Sequence, residues 1–296
     1  MNKKFQGIFP ALLTPFDKND NVNEEVLKQV TRYNLDKGVN GFYVGGSTAE
    51  AFLLSTQERL QIMKAVAEEA KDKATLIAHI GCISTKQAIE LAKEAKQMGY
   101  DAISSVAPFY YKFSFAEIKK YYYDIVDAAE MPMIVYNFPA FSGVNLTVDN
   151  IAEFLTDDRF IGVKHTSSDY FALEQFKAAF PDKVIYNGYD ETFLAGLAMG
   201  ADGAIGSTFN LMAEKFLQIR ALFAENKVKE AQAVQKEANA VISALCKVGV
   251  MQGEKAVMDA LGFDMGPARA PFGPLSQEQK DNLLATVMPL LKGANV

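Results

Sequence analysis

The chain has 296 residues, 49% of them hydrophobic and 22% charged, which suits a globular protein with a large core. A formal net charge of −6 and a pI near 5.2 argue against a general binder of nucleic acid or anionic membranes. Two cysteines, Cys82 and Cys246, are too few for a disulfide framework, and no uncharged apolar run of about 18 residues suggests a membrane span.

The start, from Met1 to Gly7, carries two lysines but no apolar stretch of signal-peptide length, so a cytoplasmic setting is expected. Residues 7–14 read as a first strand, with Pro10 an awkward member. Asn23 can cap a helix over 24–37, with Val26, Leu27, Val30 and Tyr33 on one face and Gly38 at its end. A strand over 41–44 runs into Gly45-Gly46-Ser47-Thr48. Ser55 opens the next helix, with Glu58 completing a capping box. Residues 75–80 form a strand and 84–98 a helix, with a second box from Ser84 and Gln87 and with Gly99 at the end. A strand over 102–106 precedes a helix over 115–129, where Lys119-Lys120-Tyr121-Tyr122-Tyr123 reads as one solvated and one buried face. A strand over 133–136 leads to Asn137-Phe138-Pro139, and Thr147 caps a helix to about 155. The sixth strand, 160–163, is followed at once by Lys164, then by the turn and helix-start residues His165 to Asp169. A helix over 170–180, a strand over 184–186, a helix over 191–199 and a strand over 203–205 follow, the last ending in Gly206-Ser207-Thr208.

Eight strands alternating with eight helices is the pattern of an α/β (β/α)8 TIM barrel, here expected over residues 1–224. The strand ends recur at an interval of about one βα unit, and no Gly-x-Gly-x-x-Gly follows the first strand to favour a dinucleotide fold. Helices expected over 227–248, 253–261 and 277–291 make residues 225–296 a C-terminal helical extension packed on the barrel.

In such a barrel the chemistry sits at the C-terminal ends of the strands. Those ends carry Ser47, Thr48 and Glu50; Tyr110 and Tyr111; Tyr136; Lys164 and Thr166; Gly188, Asp190 and Glu191; and Ser207. A lysine at the end of an apolar strand is partly desolvated. Its pKa falls and its free amine can attack a carbonyl. By itself, such a lysine more often starts a solvated loop. Gly45 to Thr48 could be a plain turn, Tyr136 a core aromatic, Asp190 and Glu191 a helix start, and Tyr110 and Tyr111 packing residues. One lysine and many hydroxyls on one rim together suit imine chemistry on a carbonyl compound with an anionic group. His79 and His165, with no Cys cluster, give no metal-site spacing.

Gly46-Ser47-Thr48-Ala49-Glu50, Tyr136-Asn137-Phe138-Pro139, Gly162-Val163-Lys164 and Gly203-Ala204-Ile205-Gly206-Ser207 occur in an order that resembles the N-acetylneuraminate lyase and dihydrodipicolinate synthase superfamily of Schiff-base aldolases. The resemblance runs from Gly7 through the C-terminal helices. Tyr43 to Thr48, Pro108-Phe109-Tyr110-Tyr111 and Gly188-Tyr189-Asp190-Glu191 are similar to the N-acetylneuraminate lyase branch. The other branch typically carries two threonines where this chain has Ser47-Thr48. It also places an Arg for a second carboxylate near the position of Phe141, and Phe cannot make that bidentate pair. Ala49 in place of a commoner Gly, and His165 in place of an apolar or aromatic residue, depart from the usual lyase pattern.

The resemblance implies that Lys164 forms an imine with the C2 ketone of a sialic acid, with no metal or organic cofactor. It implies that Tyr136 is the general base and that Ser47 and Thr48 hold the pyruvyl carboxylate. Ser47 would also couple Tyr136 to a Tyr of a neighbouring subunit, taken as Tyr110, in a homotetramer. Thr166, Gly188, Asp190, Glu191 and Ser207 would bind the sugar chain, and the products would be pyruvate and N-acetylmannosamine. Another 2-keto-3-deoxy sugar acid, a dihydrodipicolinate synthase-like condensation, and a pyruvate-binding protein without turnover remain the alternatives.

Overall fold

The computed structural model describes residues 3–292. Met1 and Asn2, at the start of the expected barrel, and residues 293–296, at the end of the expected extension, lie outside that range. Eight parallel strands, β1 (Gly7–Pro10), β2 (Gly41–Val44), β3 (Thr75–His79), β4 (Ala102–Val106), β5 (Met133–Asn137), β6 (Phe160–His165), β7 (Val184–Asn187) and β8 (Gly203–Gly206), form one sheet. Its order runs β1-β8-β7-β6-β5-β4-β3-β2. The ring closes where Ala11 bridges to Tyr43 and the Leu12 N–H donates to the Tyr43 carbonyl at 3.1 Å. This is the expected (β/α)8 barrel. Its strands read as continuous apolar runs because both faces are covered. Phe9, Tyr43, Ile77, Ile134, Tyr136, Tyr186 and Ile205 fill the interior, while a second core lies between the sheet and its helices.

The helices are α1 (Glu24–Asp36), α2 (Thr56–Ala70), α3 (Thr85–Met98), α4 (Phe115–Ala129), α5 (Pro139–Ser142), α6 (Val148–Leu155), α7 (Tyr170–Ala179), α8 (Phe193–Ala198), α9 (Phe209–Ala224), α10 (Val228–Val248), α11 (Val250–Ala260) and α12 (Gln277–Lys292). The Asn23 side chain accepts from Val26 N–H, Ser55 and Glu58 close a full capping box, and Gly99 ends α3 in the left-handed region. The Ser84 side chain makes no such bond, so the expected box with Gln87 does not form. A full box does form at Ser114 and Glu117. Tyr121 and Tyr122 of α4 are buried and Lys120 is exposed, as its pattern implied.

Several boundaries differ from expectation. β1 stops at Pro10, the last residue paired to β8. β6 continues through Lys164 and His165, because Tyr136 and Asn137 on one side and Tyr186 and Asn187 on the other extend the ladder. The expected helix over 191–199 is a 3-10 turn, Asp190–Thr192, followed by α8. Gly249, at φ +99°, breaks α10 from α11, so α11 begins before Gly253 and not at it. No helix among the described residues is long and apolar enough to cross a membrane.

Candidate active site

Lys164 stands in β6 in register with Tyr136 of β5 and Tyr186 of β7. It is 5% exposed. Its Nζ lies 4.0 Å from the centre of the Tyr136 ring and 4.4 Å from that of Tyr43. Burial brings its pKa down from 10.5 to about 7, with the Asp190 carboxylate pulling the other way. The two rings offset only part of the lost hydration of a cation. A large share of the amine is therefore unprotonated near neutral pH, the form that attacks a carbonyl.

Tyr136 stacks on Phe138 at 5.6 Å and meets Tyr43 and His79 edge-on. Burial pushes its hydroxyl well above the usual tyrosine range, while the nearby Thr166 and Ser47 hydroxyls pull it back. Three hydroxyls thus converge beside the Lys164 amine. Thr166 Oγ1 is buried and completes no hydrogen bond, which leaves its capacity for a ligand. Gly188 makes this possible, because a Cβ there would run into Thr166 Oγ1.

After β2 the chain turns at Gly45, with φ +76°, into a 3-10 turn, Ser47–Ala49. A Cβ on Gly46 would lie 2.7 Å from the Tyr43 ring. Buried His79 is kept neutral, its pKa down to about 3 through desolvation and then the Arg59 charge. Its Nδ1–H donates to the Gly45 carbonyl at 2.9 Å. Thr14 Oγ1 donates to the Ala49 carbonyl at 2.8 Å. Glu50, at φ +59°, forms a buried ion pair with Lys255 of α11 at 2.7 Å and accepts from the Arg269 N–H at 2.7 Å. A turn held this firmly presents the Ser47 and Thr48 hydroxyls, and the N–H groups that open a helical turn, at a fixed position for an anion.

A cavity of about 490 Å³ lies above Lys164. Ser47, Thr48, Tyr136, Lys164, Thr166, Gly188, Asp190, Glu191 and Ser207 all line it. Tyr110 does not. It is 83% exposed, with its ring 5.1 Å from that of Tyr111. Asp190 is not the open acceptor expected from sequence. It is buried, its pKa raised by burial to about 6, and its Oδ2 already accepts from Thr208 N–H at 2.8 Å and Thr208 Oγ1 at 2.6 Å. Glu191 is exposed, and its carbonyl is held by Asn239 Nδ2 at 2.9 Å. His165, expected in the loop, is buried in β6, where Asn137 and the Asp169 carbonyl engage its two ring nitrogens.

Sequence reasoning missed the C-terminal helices as a wall of this cavity. Ile242 and Cys246 of α10, Val250, Met251 and Gln252 of α11, and Phe272 all line it. The break at Gly249 was the signal, since it aims the start of α11 at the barrel mouth. A smaller, apolar cavity of about 310 Å³ shares Ser47, Phe138, Phe141, Met251 and Phe272 with the first. Tyr43, beneath Lys164, entered the sequence reading only within a family motif and was given no role, although the inward alternation of β2 marks it. Among the described residues no group of three or more His, Cys, Asp or Glu side chains is placed to hold a metal ion.

The sequence matches the model of the Dihydrodipicolinate synthetase family over residues 4–289. It is 47% identical over 296 residues to the N-acetylneuraminate lyase of Salmonella paratyphi B, covering 99% of both chains. Among solved structures, CdNal of Clostridium difficile in complex with mannosamine is 40% identical, with a TM-score of 0.94 over 97% of this chain and 99% of that one. A catalytic lysine mutant of the Ruminococcus gnavus sialic acid aldolase is 32% identical, with a TM-score of 0.96 over 99% and 98%. Likeness of this order runs from end to end, and the chain belongs to the dihydrodipicolinate synthetase family.

Proposed function

We propose that the protein is a Schiff-base aldolase that cleaves N-acetylneuraminate reversibly to pyruvate and N-acetylmannosamine. The observation that carries this reading is the buried Lys164 amine between the Tyr43 and Tyr136 rings, at the base of a cavity rich in hydroxyls. The full-length likeness to a lyase of that substrate supports the same choice. Lys164 attacks the C2 ketone of the open-chain sugar acid. Loss of water leaves a protonated imine, which serves as the electron sink without metal or organic cofactor. The C4 hydroxyl gives up its proton, the C3–C4 bond breaks, and N-acetylmannosamine leaves. The remaining enamine is protonated, and its hydrolysis returns the Lys164 amine and pyruvate.

Burial keeps Tyr136 a neutral phenol, so it takes the C4 proton only by passing its own onward. Ser47 and Thr166 are the hydroxyls close enough to relay it. Ser47 and Thr48 hold the carboxylate, and Thr166, Gly188, Asp190, Glu191 and Ser207 receive the sugar chain. Tyr110 serves the site of a neighbouring subunit in a homotetramer, which suits the exposure of Tyr110 and Tyr111. The C-terminal extension packs on the barrel, and its helices α10 and α11 wall the barrel mouth. Both cysteines are free thiols, in keeping with a cytoplasmic setting.

The test is turnover by purified protein, comparing N-acetylmannosamine with aspartate semialdehyde as the partner of pyruvate. Borohydride trapping with pyruvate should add one reduced adduct, mapped to Lys164. A preference for aspartate semialdehyde, or an adduct confined to another lysine, would overturn the reading.

A further inference from the structure

Glu254 lies on α11 one turn past the cavity-lining Met251 and is fully buried, and neither carboxyl oxygen has a hydrogen-bond partner. The groups that act on it are the Ser207 hydroxyl and the Asp190 carboxylate. Both of those residues line the cavity and Glu254 does not, so it stands behind them. A bare carboxylate without donors is costly there, and burial pushes the Glu254 carboxyl up to about 8 despite the Ser207 hydroxyl. Glu254 therefore keeps its proton at neutral pH and is itself a donor in need of an acceptor. Of the two groups that act on Glu254, Asp190 acts through its charge and its Oδ2 already accepts twice from Thr208, whereas the Ser207 hydroxyl acts from hydrogen-bonding position, so Ser207 Oγ is the acceptor.

A serine that accepts from Glu254 has its own O–H free to point into the cavity. If Glu254 ionises, the direction reverses. Ser207 then donates backward and offers the cavity only a lone pair. We propose that Glu254 is a positioning residue that holds Ser207 as a hydrogen-bond donor toward the hydroxyl-bearing chain of the substrate. The inference rests on the aldolase reading above and assigns polarity to its sugar end.

The surrounding charges leave Glu254 as the group that titrates beside Ser207. From α10, Cys246 faces it with a thiol raised above 9 by burial. The buried cation of α9, Lys215, is held by Glu237 at 2.7 Å. On α11 itself, Lys255 is paired with Glu50, and burial raises Asp259. From α12, Leu283 packs beside Gly253. Asp190 stands beside Lys164, whose own titration affects imine formation.

The experiment measures KM for N-acetylmannosamine from pH 6.5 to 9 in the wild type and in Glu254→Gln, with borohydride-trapped pyruvate imine as the control for Lys164. Wild-type KM should rise about fivefold or more across pH 8, the loss of one hydrogen bond, while trapping stays equal in the two proteins. In Glu254→Gln the amide donates at every pH, so KM should stay flat. Glu254→Leu carries no ionisable group and packs well, so it should also be flat, and it keeps the comparison readable if the Gln protein does not fold. A flat wild-type KM, or the same rise in the variants, would overturn the proposal. Absence of any wild-type turnover with the sugar would instead sink the aldolase reading, so the two failures are distinct.

Discussion

The buried state of Lys164 makes a quantitative prediction about pH. With a pKa of about 7, its amine is free in about a tenth of molecules at pH 6, half at pH 7 and nine-tenths at pH 8. A lysine left at 10.5 would be free in only about one molecule in 3,000 at pH 7. Desolvation thus multiplies the available nucleophile roughly 1,500-fold at neutral pH. The initial rate of imine formation with dilute pyruvate should rise about tenfold from pH 6 to pH 8 and then level off. An exposed lysine would give about a hundredfold over the same interval and keep climbing. The assay mixes protein and pyruvate at each pH and quenches into borohydride at one fixed pH. Intact mass then counts the adduct. Asp190→Asn supplies an independent sign, because Asp190 raises the Lys164 pKa and its removal should move the midpoint to lower pH. A rate still climbing through pH 9, or a midpoint moved upward in Asp190→Asn, would refute the reasoning.

Three further outcomes follow from the same geometry. Tyr136→Phe keeps the ring packing and removes the proton carrier, so turnover should fall by roughly 10²–10⁴-fold in a folded protein; steady-state kinetics beside a thermal melt decides it. Gly188→Ala drives a methyl into Thr166 Oγ1, so the efficiency of sugar cleavage should drop about tenfold or more while pyruvate trapping persists, and equal losses in both would argue for general damage. Lys164→Met should stabilise the protein by up to about 5 kcal/mol at and below pH 7 in urea unfolding. The sign follows from linkage. Between pH 7 and 10.5 the unfolded lysine holds a proton that the folded one has lost, so wild-type stability climbs with pH there and the advantage of Met fades. An advantage that grew with pH would contradict the assignment.

Much of the barrel was legible because its signals are local. Period-two and period-3.6 apolar patterns, and caps such as Asn23 and Ser55 with Glu58, lie within a few residues of what they organise. The same logic fails where the outcome depends on a distant neighbour. Ser84 and Gln87 have the residue types of a capping box, yet the cap does not form. Lys164 and His165 looked like the first loop residues after a strand. The ladders of β5 and β7 keep them in it. Asp190 looked like a free acceptor until Thr208 was seen to occupy one of its oxygens.

Glu254 and Lys255 make the division plain. In sequence they are two adjacent charges on a helix, which ordinarily mark a solvated face. In the structure both are buried, one against Glu50 from the far side of the chain and one behind Ser207. By itself, the sequence determined the barrel, the strand that leads into the lysine and the set of hydroxyl residues at the strand ends. Backbone hydrogen bonding and side-chain periodicity are short-range in the chain. Only the tertiary structure decided which amine loses its proton, which carboxyl keeps one and which hydroxyl is left free. Those depend on desolvation and on charges brought within a few ångströms by segments far apart in sequence.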